Sequence, residues 1–581
     1  MTMADYDLVL RGGLVADGNG GEPQLGDVAI SGDRIVAVGV VAGAGAREID
    51  VAGRVVTPGF VDVHTHYDGQ AIWSDRLNPS SQHGVTTVVV GNCGVGFAPC
   101  RAADHDLLIN VMEGVEDIPG VVMAEGLDWA WESFPEYLDA LDARPRDIDI
   151  AAYLPHSPLR VYAMGDRGAA REAANEDDLA RMRLIAKEAI EAGALGFATS
   201  RTFIHRTAAG SQIPSFEASQ AELEAVAMGL ADAGDGIIQA VLDVPMRSWD
   251  DEISMLRDVM RRTGRPATFT LAAPNTGPKL WEPVLAILDE AHAEGQALTA
   301  QVFPRPVGMI AGLELSTNPF CLCPSYQPIA MLPLAEKVAA MRDPALRAKL
   351  VAEAPADGHP LTQMGRAWDW MFPLGAQPNY EPSLDISVSA LARQRGVTPE
   401  EVAYDLLLED DGHAMLLIAL GNFHEGRLDA VRAMLDHPNT VIGLGDGGAH
   451  YGVICDASFP TFTLTYWVRD RKDDRIGLGE AVKMLTLEPA RAVGLHDRGL
   501  IAPGYKADLN VIDLDRLRLC RPEVRYDLPA GGRRLDQRAE GYDFTIVSGT
   551  IIAERDVPTA ARPGRLVRGS RPTPTQLEAA E

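Results

Sequence analysis

Eight short apolar segments alternate with amphipathic helical patterns between about residues 58 and 495. Hairpin-like segments stand at both ends of the chain, and two histidines two apart close the first apolar segment. Together these features predict an α/β chain: a (β/α)8, TIM-like barrel with a small β-sandwich domain built from both termini. A length of 581 residues allows both, because single cores stop growing at ~250–300 residues and barrels carry insertions.

From the amino end, Asp7–Arg11, Asp27–Ile30, a Ser31-Gly32-Asp33 turn and Arg34–Val38 have hairpin chemistry. Matching strands return at Asp508–Ile512 and Phe544–Ile552, so residues 1–57 and 496–560 are expected to form the small domain. The barrel is expected over 58–495. Its first strand is the run Val56 to His66, opened by Pro58-Gly59. The others are Thr86–Val90, Ile148–Tyr153, Ala194–Ala198, Ile237–Val241, Thr268–Leu271, Ala297–Val302 and Thr440–Gly445. Asn175 is placed to cap a helix with Leu179, Met182, Ile185, Ala189 and Ile190 on one face, ended by Gly193. The stretch 303–425 exceeds one βα unit and reads as an insertion near the barrel mouth, with helices at 334–354 and 398–409 and the character of a lid. Residues 561–581, rich in Arg, Pro and Thr, read as an exposed tail.

A hydrophobic share of 46% and a charged share of 23% fit an ordinary globular protein. A formal net charge of −30 argues against a nucleic-acid partner, which needs a basic face. No stretch approaches the ~20 apolar residues of a membrane span, and the opening residues lack a basic, apolar leader; a cytoplasmic location with no membrane partner is expected. The six cysteines, Cys93, Cys100, Cys321, Cys323, Cys455 and Cys520, are too sparse for a disulfide framework and form no C-x-x-C pair, so each is a buried hydrophobe or a ligand.

The chemistry gathers at strand ends. His64 and His66, two apart on a strand, share a face and can converge on one metal ion. The second strand runs into Gly91-Asn92-Cys93-Gly94 and the last into Gly445-Asp446-Gly447-Gly448-Ala449-His450; an aspartate among glycines is poorly explained by packing. A hydrolytic metal site needs an open coordination position and a base beside the water there. His64, His66 and Asp446 offer N, N and O ligands, Asp446 can also serve as the catalytic proton shuttle, and Cys93 as thiolate favours zinc.

These residues, with His83-Gly84-Val85-Thr86-Thr87, Pro155-His156-Ser157-Pro158-Leu159-Arg160, Gly193-Ala194-Leu195-Gly196-Phe197 and Gly504-Tyr505-Lys506-Ala507-Asp508-Leu509, give most of the chain a resemblance to the amidohydrolase superfamily. Specifically, the chain resembles the N-acyl-D-amino-acid deacylase (D-aminoacylase) branch. The G-N-C-G segment is the most specific mark, since most other branches bridge their metals with a carbamylated lysine. The resemblance implies His64, His66, Cys93 and Asp446 as metal ligands, Asp446 as general acid/base, and hydrolysis of a small linear amide. Two departures stand out. The branch's histidines on the fifth and sixth strands are absent, the segments reading Ile237-Ile238-Gln239-Ala240-Val241 and Thr268-Phe269-Thr270-Leu271-Ala272, and its lysine after the sixth strand is missing. One Zn2+ is therefore expected, with a second site short of ligands; Gln239 could offer only an amide oxygen. His156, Arg201, His205 and His450, all beyond strand ends, are candidate substrate contacts, Arg201 as a carboxylate clamp. Competing readings are a cyclic-amide hydrolase of the hydantoinase or dihydroorotase kind, disfavoured because Lys187 is mid-helix, and a catalytically degenerate barrel that serves as a binding module. Homo-oligomerisation is left open.

Overall fold

The computed structural model describes residues 4–243, 248–355 and 364–574. Eight parallel strands form one sheet in chain order: β1 (Phe60–Asp62), β2 (Val85–Val90), β3 (Asp149–Pro155), β4 (Gly196–Ser200), β5 (Ile237–Val241), β6 (Ala267–Leu271), β7 (Leu298–Val302) and β8 (Thr440–Ile442). Each neighbour pair is parallel, as right-handed crossovers through helices require. The ring is stitched shut just beyond β1 and β8, where Asp446 N–H donates to the His64 carbonyl (3.0 Å) and His66 N–H to that of Gly447 (2.8 Å). The expected (β/α)8 architecture is present. The helix Glu176–Ala192 shows why the local signals worked: Asn175 and Asp178 form a reciprocal capping box, Gly193 ends the helix in the left-handed region, and Met182, Ala189 and Ile190 are buried.

The second sheet has nine strands and takes them from both ends of the chain. Val55–Pro58 is its keystone, parallel to the end of Tyr6–Val15 and antiparallel to Leu509–Ile512. Gln24–Ser31 and Arg34–Gly39 form the expected hairpin, and Tyr542–Val547 with Thr550–Glu554 completes the far side. The run from Val56 to His66 is thus two strands rather than one. It switches sheets at Gly59, where a Cβ would lie 2.2 Å from Thr86 Oγ1, so that only glycine lets the backbone pass. The two ends of the molecule are also joined by a buried ion cluster, in which Asp149 at the start of β3 pairs with Arg498 (3.0 Å) and with Lys506.

Within 303–425 the helices Leu334–Met341, Pro344–Ala352 and Pro399–Leu407 accompany a three-stranded antiparallel sheet, Val307–Gly312, Met371–Leu374 and Met415–Gly421, that alternation had not revealed. This unit has its own core around Phe320, Val338, Met371 and Tyr404. It rests on the loop after β8 through Ile310 N–H to Val453 O (2.6 Å) and Ser316 N–H to Gly452 O (3.1 Å). The carboxyl segment corrects the expectation of an exposed tail. Gly564, Val567 and Arg571 donate to the carbonyls of Arg146, Ile150 and Gly494, and Leu566 and Val567 are buried, because the barrel's amino-terminal end needs an apolar cover; residues 575–581 of that tail lie outside the described residues. No described helix is long and apolar enough to cross a membrane.

Candidate metal centre

His64 and His66 stand just past β1, and the turn that follows β2 brings Cys93 beneath them. That turn carries three successive left-handed residues within four positions, Gly91 (φ +80), Cys93 (φ +57) and Gly94 (φ +66). Gly91 cannot carry a Cβ, which would lie 2.3 Å from the Tyr153 carbonyl. Asn92 anchors the turn by donating to the carbonyls of Thr65 (3.2 Å) and Val89 (2.9 Å). Cys93 Sγ lies 3.4 Å from His64 Nε2 and 3.9 Å from His66 Nε2. Asp446 Oδ1 lies 3.6 Å from each of the same two nitrogens.

These distances fit one cation. For zinc bound tetrahedrally at its usual bond lengths the edges are about 3.5 Å for N···S and about 3.3 Å for N···O, and the four edges here depart by a few tenths of an ångström. The donor set N2SO is that of a zinc site. Its surroundings also call for positive charge: Asp62, Asp68 and Glu116 are buried nearby, each with a carboxyl oxygen that has no hydrogen-bond partner. Burial, then the charges of Glu116, Asp446 and Asp68, pushes the Cys93 thiol well up, so the thiolate needs a cation to form. Burial alone would raise the Asp446 carboxyl, but the hydrogen bond and charge of His66 and the charge of His64 hold it below the usual carboxylate range.

Each imidazole is oriented from behind, a part of the site that motif reading missed. His64 Nδ1 meets Gln301 Oε1 at 2.7 Å, and His66 Nδ1 faces Glu116 Oε1 at 3.4 Å, which leaves both Nε2 atoms for the metal. Glu116 ends the helix His105–Glu116 in a Val-Glu-Asp run that reads as a solvated helix end, so nothing local marked it. Gln239 is not a ligand: its Oε1 accepts the Cys93 N–H (3.1 Å), which turns its Nε2 the other way.

The four other candidates divide evenly. His450, in the left-handed region at φ +50, keeps 31% of its side chain exposed at the mouth, with Nε2 3.6 Å from Glu116 Oε2. His205 donates to or accepts from Ser200 Oγ at 2.8 Å, and burial, then the charges of His450 and His66, pushes it down to about 3, which places it in the field of the same cluster. His156 corrects the expectation of a substrate contact: both its ring nitrogens are engaged, with Thr199 Oγ1 and Glu222 Oε1 at 2.8 Å each. Arg201 corrects it likewise, since Nε and an Nη bind the two oxygens of Glu252 (2.8 and 3.1 Å) and the other Nη the Ala218 carbonyl (2.9 Å); a fork so committed cannot clamp a ligand. Lys187 is on a helix face, 3.5 Å from Glu191.

The amidohydrolase family model matches residues 47–555, which span the barrel and most of the nine-stranded sheet. The chain belongs to the amidohydrolase family. Among relatives of this amidohydrolase, N-acyl-D-glutamate deacylase of Alcaligenes xylosoxydans xylosoxydans is 27% identical over 571 residues, covering 97% of this chain and 96% of its own. D-aminoacylase of the same organism is 37% identical over 195 residues, 33% of this chain and 37% of its own. Among solved structures, N-acyl-D-glutamate deacylase from Bordetella bronchiseptica, complexed with zinc and a phosphonate inhibitor, superposes with a TM-score of 0.63 at 24% identity. The match covers 97% of this chain and 99% of that one, and shows a shared fold.

Proposed function

We propose that this amidohydrolase is a mononuclear zinc enzyme that hydrolyses a small linear amide, an N-acylated amino acid of the kind named for its deacylase relatives. The observation that carries this reading is the convergence of His64, His66, Cys93 and Asp446 at tetrahedral spacing, with Asp446 the most open of the four toward the mouth (21% against 1% for each histidine). Bound zinc supplies the Lewis acidity that activates water near neutral pH and polarises an amide carbonyl. The chain's own residues supply the rest. Asp446, ionised at neutral pH, is placed to take the proton from the attacking water and return it to the departing amine nitrogen. His450, at the mouth, is placed to donate to the substrate oxygen as charge develops there. A single ion is supported by the amides of Gln239 and Gln301: their oxygens are held by Cys93 N–H and His64 Nδ1, and their NH2 groups, which face no acceptor, cannot ligate a second cation.

Asp446→Asn is expected to lower turnover of N-acetyl-D-amino acids by about 10²–10⁴-fold, with an unchanged circular dichroism melt. Near-normal rates in that variant would overturn the assignment. Hydantoins assayed in parallel are expected to be inert.

A further inference from the structure

The barrel has a second cavity at its other end. It encloses about 670 Å³ against the amino-terminal ends of β4 to β8, opposite the end that carries the metal ligands. Its wall is largely apolar, with Leu195, Ile237 and Val441 among the residues that form it. Into the same space come Arg265, Arg491 and Arg571, and among the described residues none of the three side chains makes a hydrogen bond or an ion pair. Arg265 Nε is buried with no acceptor at all.

In a chain with 82 acidic against 52 basic residues, a guanidinium ordinarily finds a carboxylate. Two carboxylates line this cavity, and both are engaged elsewhere: Asp235 accepts the Ser570 hydroxyl (2.6 Å), and Glu488 pairs with Lys483 (2.8 Å). His292 is likewise committed, to the Leu298 carbonyl (2.9 Å). Three uncommitted guanidiniums over an apolar wall are a cationic rim on an oily pocket, and the volume falls within the ~300–1,000 Å³ of small-molecule sites.

We propose that this cavity is a ligand site for a small organic acid anion with an apolar body. The guanidinium fork matches a carboxylate or sulfonate head, and the apolar wall takes the rest of the molecule. A bare inorganic anion leaves the wall unused, a neutral apolar molecule leaves the arginines unpaired, and a cation is repelled. The site is independent of the metal centre and of the substrate proposed for it.

The test is titration of the zinc-loaded protein with the fluorescent probe 8-anilinonaphthalene-1-sulfonate. Saturable binding is expected, displaced by octanoate and not by octanamide. Affinity is expected to fall by about tenfold or more in Arg265→Gln/Arg491→Gln, while amide turnover is unchanged. Ala297→Trp, which narrows the cavity and leaves its charge intact, is expected to weaken the probe to the same degree and keeps the test decisive should the double variant fold poorly. Absence of saturable binding, wild-type affinity in the variants, or equal displacement by octanamide overturns the proposal.

Discussion

Glu116 illustrates how much of this site rests on side chains that touch no ligand. It is buried (1% exposed), it backs the Nδ1 of His66, its second oxygen lies near His450, and its carbonyl accepts the His450 N–H. Such carboxylate-histidine pairs fix the tautomer and raise the basicity of the ligating nitrogen. Glu116→Gln, which keeps the volume and removes the charge, is therefore expected to weaken zinc binding by about 10–100-fold, measured by competition with a fluorescent chelator. Unchanged affinity would reduce Glu116 to a packing residue. The ligands themselves were readable because histidine, cysteine and aspartate at Gly-rich strand ends have little else to do. His156 and Arg201 were misread because position beyond a strand end does not say which way a side chain points; in the fold both turn into the helices behind the barrel, toward Glu222 and Glu252.

At the scale of the element, three turns decide whether the ligands meet. The turn after β2 depends on Gly91, the loop after β8 on Gly448, whose Cβ would lie 2.8 Å from the His66 carbonyl, and the entry to β1 on Gly59. Gly91→Ala combines an unfavourable φ with a clash against the Tyr153 carbonyl, and is expected to cost about 1–3 kcal/mol and to lower bound zinc. A melting curve and elemental analysis would check both; full zinc occupancy in a destabilised protein would show that Cys93 is not held by this turn. The glycines were visible in the sequence, as was the hairpin at Ser31-Gly32-Asp33. The break at Gly59 was not, because an apolar run of this length looks the same whether one sheet or two receive it.

Across the whole molecule, His83 links the barrel to the carboxyl-terminal part of the chain. Its Nε2–H donates to the Gln537 carbonyl (2.7 Å) and its Nδ1 meets Thr461 Oγ1 (2.8 Å). Burial pushes its pKa down to about 4, so the folded protein keeps it neutral while an unfolded chain binds a proton below ~6.5. Between those values the unfolded state binds more protons, and stability falls as pH drops from about 6.5 to about 4, by up to about 3 kcal/mol from this group. His83→Gln is expected to be less stable than wild type at pH 7, with the gap closing toward pH 4. Parallel denaturation profiles would rule out the linkage.

By itself the sequence determined the class of fold, the strands that compose it, and the ligand set His64, His66, Cys93 and Asp446, because hydrophobic period, turn chemistry and metal-donor residues are local signals. Tertiary structure alone decided which buried partners aim those ligands, which histidines face the mouth, and how the chain's last residues close the barrel floor around a cavity. Those outcomes depend on contacts between residues up to several hundred positions apart, such as Gln301 on His64 and Ser570 on Asp235, and no local pattern encodes them.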